Sequence, residues 1–153
     1  MGRYDVRQMA DLKIVSATLQ RVHQDWQNRR HGATLPARAS FDVLDFKYIL
    51  GNLNLVEVRR DPLRFRYRVH GTNCASLLGY DMTGKFVDDY PDPAYRERVR
   101  RNFTSVVDSR QPRCDLGKRQ IVDRRIIHFE ALILPLAADG EAVDMLMVAL
   151  SLS

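Results

Sequence analysis

The sequence predicts an α+β domain: a five-stranded antiparallel sheet with a helical block between strands two and three, preceded by an N-terminal amphipathic helix. Three observations carry this. Residues 53–69 hold two apolar runs joined by Asp61-Pro62, which reads as a tight hairpin. Residues 72–107 then change to helical spacing, punctuated by glycine and proline. Three further strand-like runs, separated by short polar turns, finish the chain. Hairpin-linked strands on either side of a helical block argue for an antiparallel sheet.

Taken in order, residues 1–10 show no periodicity and read as a flexible tail. From Leu12 the apolar positions run Leu12, Val15, Leu19, Val22 and Trp26, three and four apart. That stripe predicts an amphipathic helix over residues 11–31, stopped by His31-Gly32. The same spacing suits heptad a and d positions. The helix could therefore pair with a second copy of the chain or fold back on its own sheet, and the spacing leaves both open. Residues 33–40, with Pro36, form a connector, and the main domain is expected over residues 41–153. Asp42 can cap a short helix carrying Leu44, Phe46, Ile49 and Leu50, which Gly51-Asn52 ends.

Residues 53–58 read as the first strand. In the second, Phe65, Tyr67 and Val69 alternate with Arg64, Arg66 and Arg68, the period of a half-buried strand. His70-Gly71-Thr72 stops it. Cys74, Ala75, Leu77 and Leu78 then suffice for about two helical turns. Gly79 suits a left-handed cap, because glycine carries no Cβ penalty at positive φ. Asp81 to Gly84 forms a polar turn before Phe86-Val87 returns to the interior. Asp92-Pro93 starts a longer helix, an N-cap residue with proline at the first helical position. Its apolar face holds Tyr95, Val99, Phe103, Val106 and Val107, and Arg96, Glu97, Arg98, Arg100 and Arg101 project mostly into water. Pro112 ends this segment. The last strands are expected over residues 114–122, 126–136 and 143–152, with turns at Asp123-Arg124-Arg125 and Asp139-Gly140.

A chain of 153 residues, 45% hydrophobic and 28% charged, suits one globular domain. No apolar run approaches the roughly 18 residues of a membrane span, and the longest, residues 142–152, is interrupted by Asp144. The start lacks the apolar region of a secretory signal, so a cytoplasmic protein is expected. Cys74 and Cys114 read as two reduced, partly buried thiols, and no CxxC or Cys/His cluster suggests zinc. A net charge of +5 and a pI near 9.5 invite a nucleic-acid reading, yet the arginines are scattered among acidic residues rather than clustered. Nucleic acid is therefore not the expected partner; arginines gathered on one folded face would reverse that reading. No GxSxG, HExxH, Walker loop or dinucleotide fingerprint is present, so no catalytic residue is assigned and an enzyme is not expected. The rival enzyme reading would need His70 or His128 beside Asp81, Asp88 or Glu130. His128, between Ile127 and Phe129, reads as a hydrogen-bonded structural histidine.

The run Tyr67-Arg68-x-x-Gly71-Thr72, then Gly79-x-Asp81-x-Thr83-Gly84, then Leu134-Pro135-Leu136 ahead of Gly140, resembles a family of short bacterial PAS-like proteins of unassigned function. Trp26, Arg29, Arg30, Pro36-x-Arg38 and Phe41-Asp42 fit the same family's front end, so the resemblance spans roughly residues 13–150. It implies a PAS arrangement with the first strand beside the last. Gly71-Thr72-Asn73-Cys74-x-x-Leu77 is similar to part of the flavin-reactive motif of blue-light PAS receptors. In those receptors the motif falls after the glycine turn, where this chain has Gly84-Lys85-Phe86-Val87. Cys74 comes one helix too early, so flavin is not expected. Haem is not expected either, because the helix after Pro93 lacks an axial histidine. No cofactor is assigned.

The resemblance also implies a pocket between sheet and helices. Phe65, Tyr67, Leu77, Phe103, Phe129 and Met147 are the residues expected around it, with Asn73 as a polar contact. The same residues would equally serve as a solid core. The function implied is a sensory or signalling module without an attached effector domain. It would bind a small-molecule ligand or a signalling protein, or form a homodimer through the N-terminal helix.

Overall fold

The computed structural model describes residues 12–152. The tail expected at residues 1–10 lies outside the described residues. Helix α1 spans Ala17–Asn28, α2 Thr72–Leu78 and α3 Pro93–Ser109. Strands β1 (Leu53–Arg59), β2 (Arg64–Val69), β3 (Arg113–Gln120), β4 (Ile126–Leu136) and β5 (Met145–Leu152) form one sheet of order β2-β1-β5-β4-β3, antiparallel at every pairing. The first strand lies beside the last, as a PAS arrangement requires. The helical block falls between β2 and β3.

Local sequence explains the element ends. Asp92 accepts a hydrogen bond from the Ala94 N–H at 3.0 Å, and Pro93 follows at the first helical turn of α3. Gly79 closes α2 at φ 85°, the left-handed cap its sequence position predicts. Gly71 has a different reason to be glycine. Its φ is −54°, but a Cβ there would stand 2.4 Å from the Gly51 carbonyl oxygen. The close approach of two backbones, rather than a turn, excludes a side chain.

Helix α1 is shorter than the spacing of Leu12, Val15 and Leu19 predicts. Ser16 caps it, its hydroxyl accepting from the Leu19 N–H at 3.2 Å. The Glu130 carboxylate accepts from the Val15 N–H (2.7 Å) and the Ser16 N–H (2.8 Å), which holds the chain extended just before the helix. Val15 is consequently exposed, while Leu19, Val22 and Trp26 are fully buried. The Trp26 indole donates to the Pro135 carbonyl at 3.0 Å. Leu19, Val22 and Trp26 thus pack into the chain's own core, the fold-back arrangement that was one of the two the spacing left open. It also means that α1 and the expected domain over residues 41–153 share one hydrophobic core.

The segment after Asp42 is a succession of 3₁₀ turns, Val43–Phe46 and Leu50–Asn52, rather than one helix. Asp42 does cap the first, accepting from the Leu44 N–H at 2.9 Å. Phe46 and Ile49 are buried, whereas Leu44 and Leu50 are exposed.

Successive strand residues point to opposite faces. On β4 and β5 one set comprises Glu130, Leu132, Leu134, Met147 and Ala149, all buried. That is the α1 face, as the bonds from Glu130 to Val15 and Ser16 show. The alternate set, including Phe129, Ala131, Ile133, Val148 and Leu150, faces α2 and α3 and borders an internal space.

Candidate functional site

That space is a cavity of about 100 Å³ between the sheet, α2 and α3. Tyr67 and Asn54 enter from β2 and β1, Cys74, Leu77 and Leu78 from α2, and Tyr95, Val99 and Phe103 from α3. Phe129 and Ala131 come from β4, and Asp115 and Arg119 from β3. Gly117 makes room on β3. A Cβ there would stand 2.5 Å from Phe129 Cζ and 2.7 Å from Arg98 Nη2. Its absence lets Arg98 lie over the Phe129 ring, 5.7 Å from the centroid, and donate to the Leu116 carbonyl at 2.9 Å.

Four of the residues expected around a pocket are brought together here: Tyr67, Leu77, Phe103 and Phe129. Three are not. Phe65 is buried beneath the cavity wall, its ring 5.4 Å from that of Phe103 in an edge-to-face contact. Met147 belongs to the other set, with Leu134 and Ala149, and faces α1, paired with Leu55. Asn73 is exposed on the outer side of α2, against Gly51. The buried amide at the cavity is Asn54 instead, whose Oδ1 accepts from the Gly71 N–H at 2.7 Å. Its sequence signal was a lone polar residue between Leu53 and Leu55.

Polar groups cluster at one end of the cavity. The Tyr90 hydroxyl donates to the Tyr67 hydroxyl at 2.8 Å, and both residues are buried. The Tyr90 ring meets Tyr95 edge-on at 4.9 Å. Burial pushes all three phenols upward, so each is a neutral hydroxyl at neutral pH. Arg119 lies across this cluster, its Cζ 3.5 Å from the Tyr95 centroid, and donates from Nη2 to the Tyr80 hydroxyl at 3.0 Å.

His70 is buried beside it, and its Nδ1 accepts from the Met82 N–H at 3.1 Å. Asp81 Oδ1 stands 3.7 Å from Nδ1, too far for a hydrogen bond. Burial draws the imidazole below its ordinary value, outweighing the opposite pull of Asp81. Nδ1 is therefore an occupied acceptor in a turn, while the ring itself borders the cavity. His128, expected as a hydrogen-bonded structural histidine, is exposed on β4 instead, and no hydrogen bond to its imidazole is found among the described residues. It occupies the face opposite the cavity, because its position alternates with Ile127 and Phe129.

The Cys74 thiol at the cavity is pushed up to about 11 by burial, the state of an unreactive, protonated thiol. Among the described residues no group of three metal-ligating side chains converges. No helix there is long and apolar enough to cross a membrane. Many arginines have acidic partners: Arg59, Arg66 and Arg68 gather on Glu57, and Arg64 and Arg100 on Asp88.

A five-stranded antiparallel sheet of this order, with helices enclosing a small cavity on one face, defines a PAS-like sensory fold. The chain belongs to the PAS domain family, which it matches over residues 14–151. Among solved structures it is similar to the PAS domain of a protein from Colwellia psychrerythraea, with a TM-score of 0.47 and 16% identity over 70% of this chain and 94% of that one. It is also similar to a fungal LOV-domain photoreceptor, with a TM-score of 0.47 and 12% identity over 89% of this chain and 94% of that one. No curated protein matches the sequence. PAS domains are in general sensory and signalling modules.

Proposed function

We propose that this PAS domain is a ligand-responsive signalling module, with the cavity between β-sheet, α2 and α3 as its sensing site. The observation that carries this reading is the cavity's make-up. Apolar walls from Leu77, Phe103 and Phe129 surround a few convergent polar groups from Asn54, Tyr67 and Arg119, the pattern of a small-molecule site. A dry apolar cavity of about 150 Å³ is enough for benzene, so about 100 Å³ suits a fragment of similar or slightly smaller size.

A ligand there would touch α2, α3 and the sheet at once. It would act by favouring one packing of helices on sheet, a population shift set by its differential affinity for the two arrangements. The change would be read by a protein partner on the outer surface.

Native mass spectrometry of the purified full chain tests retention of such a ligand. The expected result is a mass excess that denaturation removes and that the Ala131→Phe variant, with a ring filling the cavity, does not carry. Wild type and variant each at its own bare chain mass would contradict it.

A further inference from the structure

Arg119 is set apart from the arginines on Glu57 and Asp88. It lines the cavity, yet takes part in no ion pair among the described residues. Its Nη2 is occupied by the Tyr80 hydroxyl, but its Nη1 is buried with no hydrogen-bond partner. The other charged residue that β3 turns toward the cavity, Asp115, is four residues away, about 13 Å along an extended strand. Asp115 is already engaged by Arg113 at 2.7 Å.

The neighbours cannot supply the missing negative charge. Tyr67, Tyr90 and Tyr95 are held protonated by burial, and His70 is neutral or cationic at any pH. A guanidinium N–H that is out of water and unpaired costs free energy until an acceptor arrives, and an anionic acceptor offsets the most.

Resting on the reading of the cavity as a ligand site, we propose that its ligand is a small monocarboxylate, with the carboxylate on Arg119 and a short chain or single ring against Phe103 and Phe129. Arg98, the other guanidinium on the lining, lies over Phe129 and donates to the Leu116 carbonyl, so Arg119 is the cavity arginine with a buried N–H left unbonded, and that one group calls for one negative charge. A planar carboxylate suits the edge of a guanidinium, whereas a phosphate dianion would need further donors or cations. The apolar walls and the volume of about 100 Å³ limit the remainder to a short chain or at most one ring.

The test is titration of the 153-residue chain, followed by amide NMR, with two carboxylates and their neutral isosteres: benzoate against benzamide, and butyrate against butyramide. The expected result is that a carboxylate binds at least tenfold more tightly than its amide, about the effect of one charge-assisted contact. Arg119→Gln should erase that preference, and Arg119→Lys should retain part of it. Amides binding as tightly as carboxylates would overturn the carboxylate assignment and leave the cavity reading standing. Failure of all four compounds to move the cavity amides would count against both. Should Arg119→Gln not fold, the comparison of carboxylate with amide on the wild-type protein decides the matter.

Discussion

Tyr90 and Tyr67 join hydroxyl to hydroxyl at 2.8 Å, with their rings edge-on at 5.9 Å. This contact ties the segment leading into α3 to the middle of β2, so it couples two walls of the cavity. Each hydroxyl is buried, and neither has bulk water as an alternative partner.

Removing one hydroxyl should therefore strand the other. Tyr67→Phe is expected to cost about 1–3 kcal/mol, the usual range for a buried polar group left unpaired. The double variant with Tyr90→Phe should lose less than the sum of the single variants, a coupling of about 0.5–3 kcal/mol. Urea unfolding of the four proteins measures this; strictly additive losses would show that the hydroxyls act independently.

Stability should fall as the solution is acidified through the histidine range. Burial draws His70 below its ordinary value, and burial followed by the nearby Arg30 does the same to His23. The unfolded chain then binds protons more readily than the folded one, so the stabilisation is complete above about pH 6.5 and is lost as the pH drops through the folded values. Protonating His70 also removes the acceptor of the Met82 N–H. The urea midpoint should be lower at pH 5.5 than at pH 7.5, and His70→Asn, which keeps an acceptor but cannot titrate, should reduce the difference. A midpoint unchanged between the two pH values would refute this.

Glu130 is expected to control how α1 docks. Its two carboxylate oxygens each accept one backbone N–H, from Val15 and Ser16. Glu130→Gln keeps only one acceptor and turns an NH₂ group toward the other N–H. A loss of about 1–3 kcal/mol should follow, with faster hydrogen exchange at those two amides. Cys114 gives a second readout. Its thiol is pushed up to about 12, by burial first and then by Glu130. Removing that charge should lower the thiol's value and speed its reaction with a disulfide reagent, although burial remains. Unaltered exchange and thiol reactivity would contradict the assignment.

Much of the architecture was legible because it rests on period and punctuation. Residues 126–136 read as a strand and are one, and Asp92-Pro93 begins a helix as its chemistry requires. Side-chain facing was less legible. Residues 145–150 are apolar without interruption, so no alternation shows whether Met147 or Val148 points to the cavity. A helix of two turns fixes its buried side poorly, which is why Asn73 lies outside while Cys74 lies within. Arg119 gave no signal at all. An arginine between Lys118 and Gln120 reads as solvated surface, and only the fold brings Tyr80, Tyr90 and Tyr95 around it. The late start of α1 depends on Glu130, more than a hundred residues away in sequence, so local spacing could not give it.

The sensing cavity is tested most directly by amide NMR of the full chain, titrated with a library of single-ring and short-chain fragments. The cavity account predicts that some fragments shift the amides of Leu77, Phe103 and Phe129 together, saturably, and that Ala131→Phe abolishes those shifts while leaving the rest of the spectrum in place. If no fragment moves these amides, or if the same shifts persist with the cavity filled, the cavity is packing space and not a ligand site.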